Sequence, residues 1–268
     1  MTVDDAAATD DSDNSEHTAN SEHTANSEHT ANSEHTANSE NTASSQHSGE
    51  PEADVAGFAV SVDPDGAELG EASRRRKRTL GYLKLWGLDV DLTPLPVPTS
   101  DTHTTRDIGE VVSRAKALCL LALKGQGLSM RESFAFADAY EVWDHLTVDE
   151  NDFVLEHEPT QEDLVQYAWR FEGLRVMEWA LGLVKHLSFP VDIADPAKAT
   201  ELCIQKILAP AVGTTLEIRT PKELLDAADV TWSLSAITAA IRDLPDSPVA
   251  LHAGVVHERV AAFRWLVH

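Results

Sequence analysis

Residues 161–184 constrain the fold more than any other segment, because at 100° per residue their apolar side chains surround the helix axis. Fourteen of these 24 residues are apolar, among them Leu164, Tyr167, Trp169, Phe171, Leu174, Met177, Trp179 and Leu181. A helix of this kind belongs in an interior. Glu172, Arg175 and Glu178 nevertheless step along it at i, i+3 intervals, and Arg170 lies off that stripe. Charges on a buried helix need partners, so the stripe predicts either a structural polar network or a site.

The rest of the chain divides sharply by composition. Residues 1–70 hold 16 Asp or Glu and no Lys or Arg, which leaves 29 acids against 21 bases in the other 198 residues. From Asn14 the sequence N-S-E-H-T-A repeats every six residues through Asn20, Asn26 and Asn32, with a degraded copy at Asn38. The unit has no large apolar residue and cannot bury a core, so residues 1–72 are expected to be a disordered acidic tail. Its repeated histidines, His17, His23, His29 and His35, lack the surroundings that would fix a metal ion. A short apolar run at 57–62 adds an edge strand or nothing.

Residues 73–268 read differently. Helical patterns follow one another, each opened by a start signal. Asp107 precedes a pattern at 107–124, Ser129 with Glu132 opens 130–144, and Thr147 with Glu150 forms a capping box. Thr160 with Asp163 precedes the apolar helix, Asp195-Pro196 starts another, and Thr220-Pro221 with Glu223 starts 221–243. A first helix follows the basic run at 74–78, and a last one spans about 251–268. No run of alternating strand residues separates them, so the expectation is a single all-α domain of about seven or eight helices.

The net charge of −8 left for this domain argues against a general nucleic-acid-binding surface. The longest uncharged apolar stretch, 230–241, has 12 residues, well short of the roughly 20 that span a bilayer, so no membrane insertion is expected. An acidic N-terminus is unlike a secretory leader, and Cys119 and Cys203, 84 residues apart, read as two free buried thiols. Both point to a cytoplasmic protein.

Several patterns touch on chemistry and mostly lead away from it. The basic run Arg74 to Arg78 fits a solvated helix start, a contact with the chain's own acidic tail, or a contact with nucleic acid or an anionic lipid. Glu223, Asp226 and Asp229 step by three, as carboxylates sharing a cation would, but they also suit an acidic first turn paired to Arg219 or Arg259. His257-Glu258 opens H-E-x-x-H, yet its fifth position is Ala261, so the second zinc ligand is missing. Glu156, His157 and Glu158 are adjacent and share no helical face. The six Trp residues sit in apolar helical patterns and are expected in the core. No Gly-rich phosphate loop or nucleophile elbow is present, and nothing in the sequence implies a cofactor or a metal.

Three segments together carry a family resemblance: W-R-F-E-G-L-R-V-M-E-W-A-L-G at 169–182, I-R-T-P-K-E-L-L-D-A-A-D at 218–229 and G-V-V-H-E-R-V-A-A-F-R-W-L at 254–266. With the basic opening near Arg74, Leu95-Pro96 and the helix at Arg114, they resemble the bacterial family catalogued as domain of unknown function 4272 over about residues 73–268. The resemblance implies a helical cytoplasmic domain without assigned activity. It makes Arg170, Glu172, Arg219, Glu223, Asp226, Asp229, Glu258 and Arg259 the candidate polar network or pocket, with Trp265 beside them. The chain departs from the family pattern at Ser233, Ala236 and Val260, where Arg, Trp and His are expected, and it stops at His268 before an acidic, Trp-containing tail.

Two functions follow as expectations. The first is a non-catalytic cytoplasmic module that binds a protein partner whose identity the sequence does not reveal. The alternative is a hydrolase or transferase with a carboxylate and arginine pocket between the helices at 161–184, 221–243 and 251–268. The sharpest structural expectation places Glu172 within salt-bridge reach of Arg219 or Arg259.

Overall fold

The start signals operate as the sequence predicts, and they set the helix boundaries. In the computed structural model, which describes residues 70–241 and 249–268, Asp107, Ser129, Thr147 and Thr160 each accept a backbone N–H three residues on. Thr220 does the same for Glu223, whose carboxylate returns to the Thr220 N–H at 2.9 Å. Asp195 caps two N–H groups ahead of Pro196, and the His252 ring caps Val255. The resulting helices are α1 (Glu71–Leu85), α2 (Ile108–Gly125), α3 (Met130–Ala139), α4 (Val148–Leu155), α5 (Gln161–Ala168), α6 (Arg170–Ala180), α7 (Pro196–Cys203), α8 (Pro221–Ile241) and α9 (Ala253–Leu266). A short 3-10 turn at Trp143–His145 precedes α4, and one π-helical turn at Ile204–Leu208 extends α7.

The fold is all-α among the described residues, with a lone antiparallel bridge between Thr105 and Val267. The acidic repeat and the run at 57–62 lie outside the described residues. Neighbouring helices run in the order α1, α8, α9, α6, α2, and then α3 to α5, with α7 wedged against α2 and α6. Three apolar clusters fill this stack. Val111, Leu118, Leu174, Met177, Trp179, Leu224 and Phe263 form the central one. Tyr82, Leu83, Phe189, Leu234 and Val256 join α1 to α8 and α9, and Leu120, Leu121, Phe153 and Tyr167 join α2 to α4 and α5.

The segment expected as one helix is two. The chain bends at Trp169, where the Glu172 N–H reaches the Trp169 carbonyl instead of continuing the α-helical ladder from α5. The bend separates two aromatic anchors. Tyr167 stacks on Phe153 at 3.8 Å and donates to the Asp149 carbonyl, while the Trp169 ring packs beside His252 at the start of α9. Taking α5 and α6 as one interrupted helix gives eight helices among the described residues, within the expected number. Burial on all sides holds for α6, where every residue from Phe171 to Ala180 except Arg175 is buried, whereas much of α5 faces solvent. Gly125 permits the bend: a Cβ there would lie 2.3 Å from the Ala168 nitrogen. Gly182, at φ +71°, ends α6, and the Leu183 N–H turns back to the Glu178 carbonyl.

Of the six Trp residues, only Trp179 is buried outright; the other five are half-buried at the edges of the clusters. No helix among the described residues is long and apolar enough to cross a membrane.

Candidate functional site

The eight candidate residues form four separate ion-pair groups. Glu172 and Arg259 make the innermost one. Arg259 Nε lies 3.1 Å from Glu172 Oε2, and both side chains are buried. The other Glu172 oxygen accepts the Ala194 N–H at 2.8 Å, and Arg259 Nη1 donates to the Ser188 carbonyl at 2.6 Å. The pair therefore fastens the 188–194 loop onto α6 and α9. Burial lowers the Arg259 pKa, against the attraction of Glu172.

Asp226 and Asp229 face α1. Arg75 Nε donates to Asp226 at 2.8 Å, Arg78 adds two bonds at 2.6 and 2.9 Å, and Lys222 adds one at 3.1 Å. Asp229 takes Arg76 at 2.9 Å and the Thr79 hydroxyl at 2.5 Å. Burial still pushes the Asp229 carboxyl above the usual range. Three members of the basic run thus hold α1 onto α8. None of the expected roles for the run, a solvated helix start, a tail contact or an external anion, describes Arg75, which is 1% exposed. Arg75 also donates to the Pro98 carbonyl and to Glu71, which ties the connector after α1 to the same seam.

Arg219 and Glu223 form the third group, at 3.1 Å. Arg219 closes the C-terminus of α6. Its backbone N–H reaches the Ala180 carbonyl, its Nε the Trp179 carbonyl at 2.9 Å, and its Nη2 the carbonyls of Val184 and Lys185. The bonds to Trp179 and Ala180 engage carbonyls at the helix end, those to Val184 and Lys185 hold the turn after it, and the guanidinium lies 4.7 Å over the Trp179 ring.

Arg170 and Glu258 form the fourth group. Arg170 Nη1 lies 2.7 Å from both Glu258 oxygens. Beside them Arg114 grips Glu150 through two bonds of 2.7 Å, and both pairs line one cavity of about 140 Å³ with Gly173, Met177 and Trp265. Burial works to raise the Glu150 pKa, but the Arg114 guanidinium prevails and holds it below the usual range. The Arg114–Glu150 pair was not among the candidates. Glu150 is visible in the sequence as a capping residue, but nothing local announces a partner 36 positions away.

Only Arg170 and Glu258 of the eight candidates therefore reach this cavity, and the carboxylates of α8 point elsewhere. The pocket envisaged between the helices at 161–184, 221–243 and 251–268 is not assembled. Each candidate carboxylate is held by at least one guanidinium, which suits a structural partner better than a general base. Among the described residues, no group of three or more His, Cys, Asp or Glu is arranged to hold a metal ion. His257 and the stretch from Glu156 to Glu158 are exposed.

A different carboxyl has an unusual environment. Glu178 is 0% exposed, one oxygen accepts from Arg175 at 3.0 Å, and the other has no partner among the described residues. Burial raises its pKa to about 7. It lies on the side of α6 that faces the buried thiol of Cys203 and is itself fully buried.

Acidity in the folded part is concentrated on one lobe. Residues 130–168, which carry α3 to α5, hold 11 acids and one base, Arg131, so the rest of 71–268 has 18 acids against 20 bases. The same lobe exposes Phe134, Val148, Leu155 and Val165, each at least 48% accessible.

No curated protein and no solved structure matches the chain. A family model described as "Domain of unknown function (DUF4272)" matches residues 75–268, well over half of the sequence, and the chain belongs to that family.

Proposed function

We propose that this protein acts without catalysis, by binding a basic partner protein through the α3 to α5 lobe. One observation carries the proposal: exposed apolar side chains and a net charge of −10 occupy the same short stretch, residues 130–168, of a domain that is otherwise close to neutral. Val148 is 77% exposed, and Asp149 and Asp152 on α4, Glu156 and Glu158 in the loop after it and Glu162 on α5 are exposed too. Exposed apolar residues that share a stretch with many like charges fit a partner with basic residues around an apolar anchor. The internal use of the candidate carboxylates supports the same conclusion, since the groups that would do chemistry are engaged in holding helices together. The acidic lobe also weighs against nucleic acid as the partner. A cytoplasmic setting is supported by two buried thiols without a disulfide.

The experiment is capture of partners by the full chain from cell extract, repeated with Asp152→Lys, Glu158→Lys and Glu162→Lys combined. The proposal expects captured proteins that are rich in Lys and Arg, that fall away in 0.5 M salt, and that the triple variant does not retain. Retention of the same proteins by the triple variant would contradict it.

A further inference from the structure

A large cavity lies apart from the one that Arg170 and Glu258 line, and it touches the four ion-pair groups only through Arg76. It holds about 540 Å³ and lies where the connector after α1 meets the second half of α8 and the C-terminal half of α9. Pro96, Trp232, Ala236 and Val260 give it apolar walls. Its charged lining side chains are basic, Arg76 and Arg264, with His103 and His268 beside them, and no acidic side chain of the described residues lines it.

The two arginines differ in availability. Arg76 is committed to Asp229 and to the carbonyls of Leu92, Leu95 and Pro96. Arg264 is exposed, lines the cavity and takes part in none of the ion pairs among the described residues. The His103 ring lies 5.6 Å from the Trp232 ring at a tilt of 48°, so two aromatic rings stand next to the cationic rim. Two buried polar atoms of lining residues, Trp232 Nε1 and Ser233 Oγ, have no hydrogen-bond partner among the described residues. Small-ligand pockets combine these features: a few hundred cubic ångströms, mostly apolar, with a small number of placed polar groups.

We infer that this cavity binds a small organic acid with an apolar body, its carboxylate at Arg264 and its body against Trp232, Ala236 and Val260. An inorganic anion would leave the apolar walls unused, and a neutral apolar molecule would leave Arg264 unused. The inference is independent of the partner surface on α3 to α5.

Calorimetric titration of the full chain tests it with three probes: naphthalene-2-carboxylate, octanoate and the neutral naphthalene-2-carboxamide. At least one carboxylate is expected to bind with a dissociation constant below about 1 mM, about fivefold or more tighter than the carboxamide. Arg264→Gln, at an exposed position, should abolish that preference, and Ala236→Phe should block all three by filling the cavity. Should Ala236→Phe lose its cooperative unfolding transition, Ser235→Phe fills the same wall. Absence of binding by both carboxylates at about 5 mM, equal binding of acid and amide, or unchanged binding by Arg264→Gln would each overturn the inference.

Discussion

Arg259 and Glu172 meet at 3.1 Å in the interior, 87 positions apart in sequence, and through Ser188 and Ala194 they hold a loop as well as two helices. Removing one partner leaves the other charged and buried, so Arg259→Met is expected to cost roughly 3–5 kcal/mol. Combined with Glu172→Leu the loss should shrink well below the sum of the single changes. Urea unfolding of the four proteins measures the coupling, and hydrogen exchange at the Ala194 amide should accelerate in either single variant.

The α1–α8 seam has a comparable dependence on Asp226, which receives Arg75, Arg78 and Lys222. Asp226→Ala leaves the buried Arg75 short of its main counter-charge and should destabilise by roughly 3 kcal/mol or more. Limited proteolysis should show cleavage within the 74–78 run before any cut in α2 or α6. Cleavage that begins elsewhere would mean that α1 is held by its apolar face alone.

Glu178 makes stability depend on pH in an identifiable window. Its folded pKa of about 7 lies above the ordinary 4.5, so the folded state binds the proton more tightly than the unfolded state. Its contribution is fully present below pH 4.5 and is lost as pH rises towards 7, a loss on the order of 3 kcal/mol. Glu178→Gln mimics the protonated form. The variant and the parent should unfold at similar urea concentrations near pH 5, and the variant at a higher one at pH 8. Parallel curves across that range would rule out a raised Glu178.

Two glycine substitutions should have opposite signs. Gly125→Ala pushes a methyl group into the backbone of Leu164 and Ala168 and should cost roughly 1–3 kcal/mol. Gly81→Ala, in the middle of α1 with nothing within 4 Å, should stabilise by roughly 0.5–1 kcal/mol. Thermal unfolding of both variants checks the pair.

What could be seen in the sequence follows the range of the interactions. The capping boxes at Asp107, Ser129, Thr147, Thr160 and Thr220 are three-residue events, so each start is legible locally. The buried helix is legible where its apolar residues surround the axis, from Phe171 onward. The bend at Trp169 is not, because it depends on α2 approaching through Gly125, some 40 positions earlier. The basic run misleads for the same reason. Its partners lie about 150 positions downstream, and five adjacent cations read alone resemble a surface. The candidate residues were recognisable as polar groups on buried helices, but their distribution into four groups depends on which helices neighbour one another.

The most direct measurement compares two variants for urea stability and for partner capture. Glu172→Leu with Arg259→Met alters an interior pair, and Asp152→Lys with Glu158→Lys and Glu162→Lys alters only the exposed lobe. If buried charges hold the fold and the α3 to α5 surface carries function, the interior variant changes in stability yet still captures the basic partner. The surface variant unfolds like the parent and captures nothing. Loss of capture by a folded interior variant, with capture intact in the surface variant, would contradict the assignment.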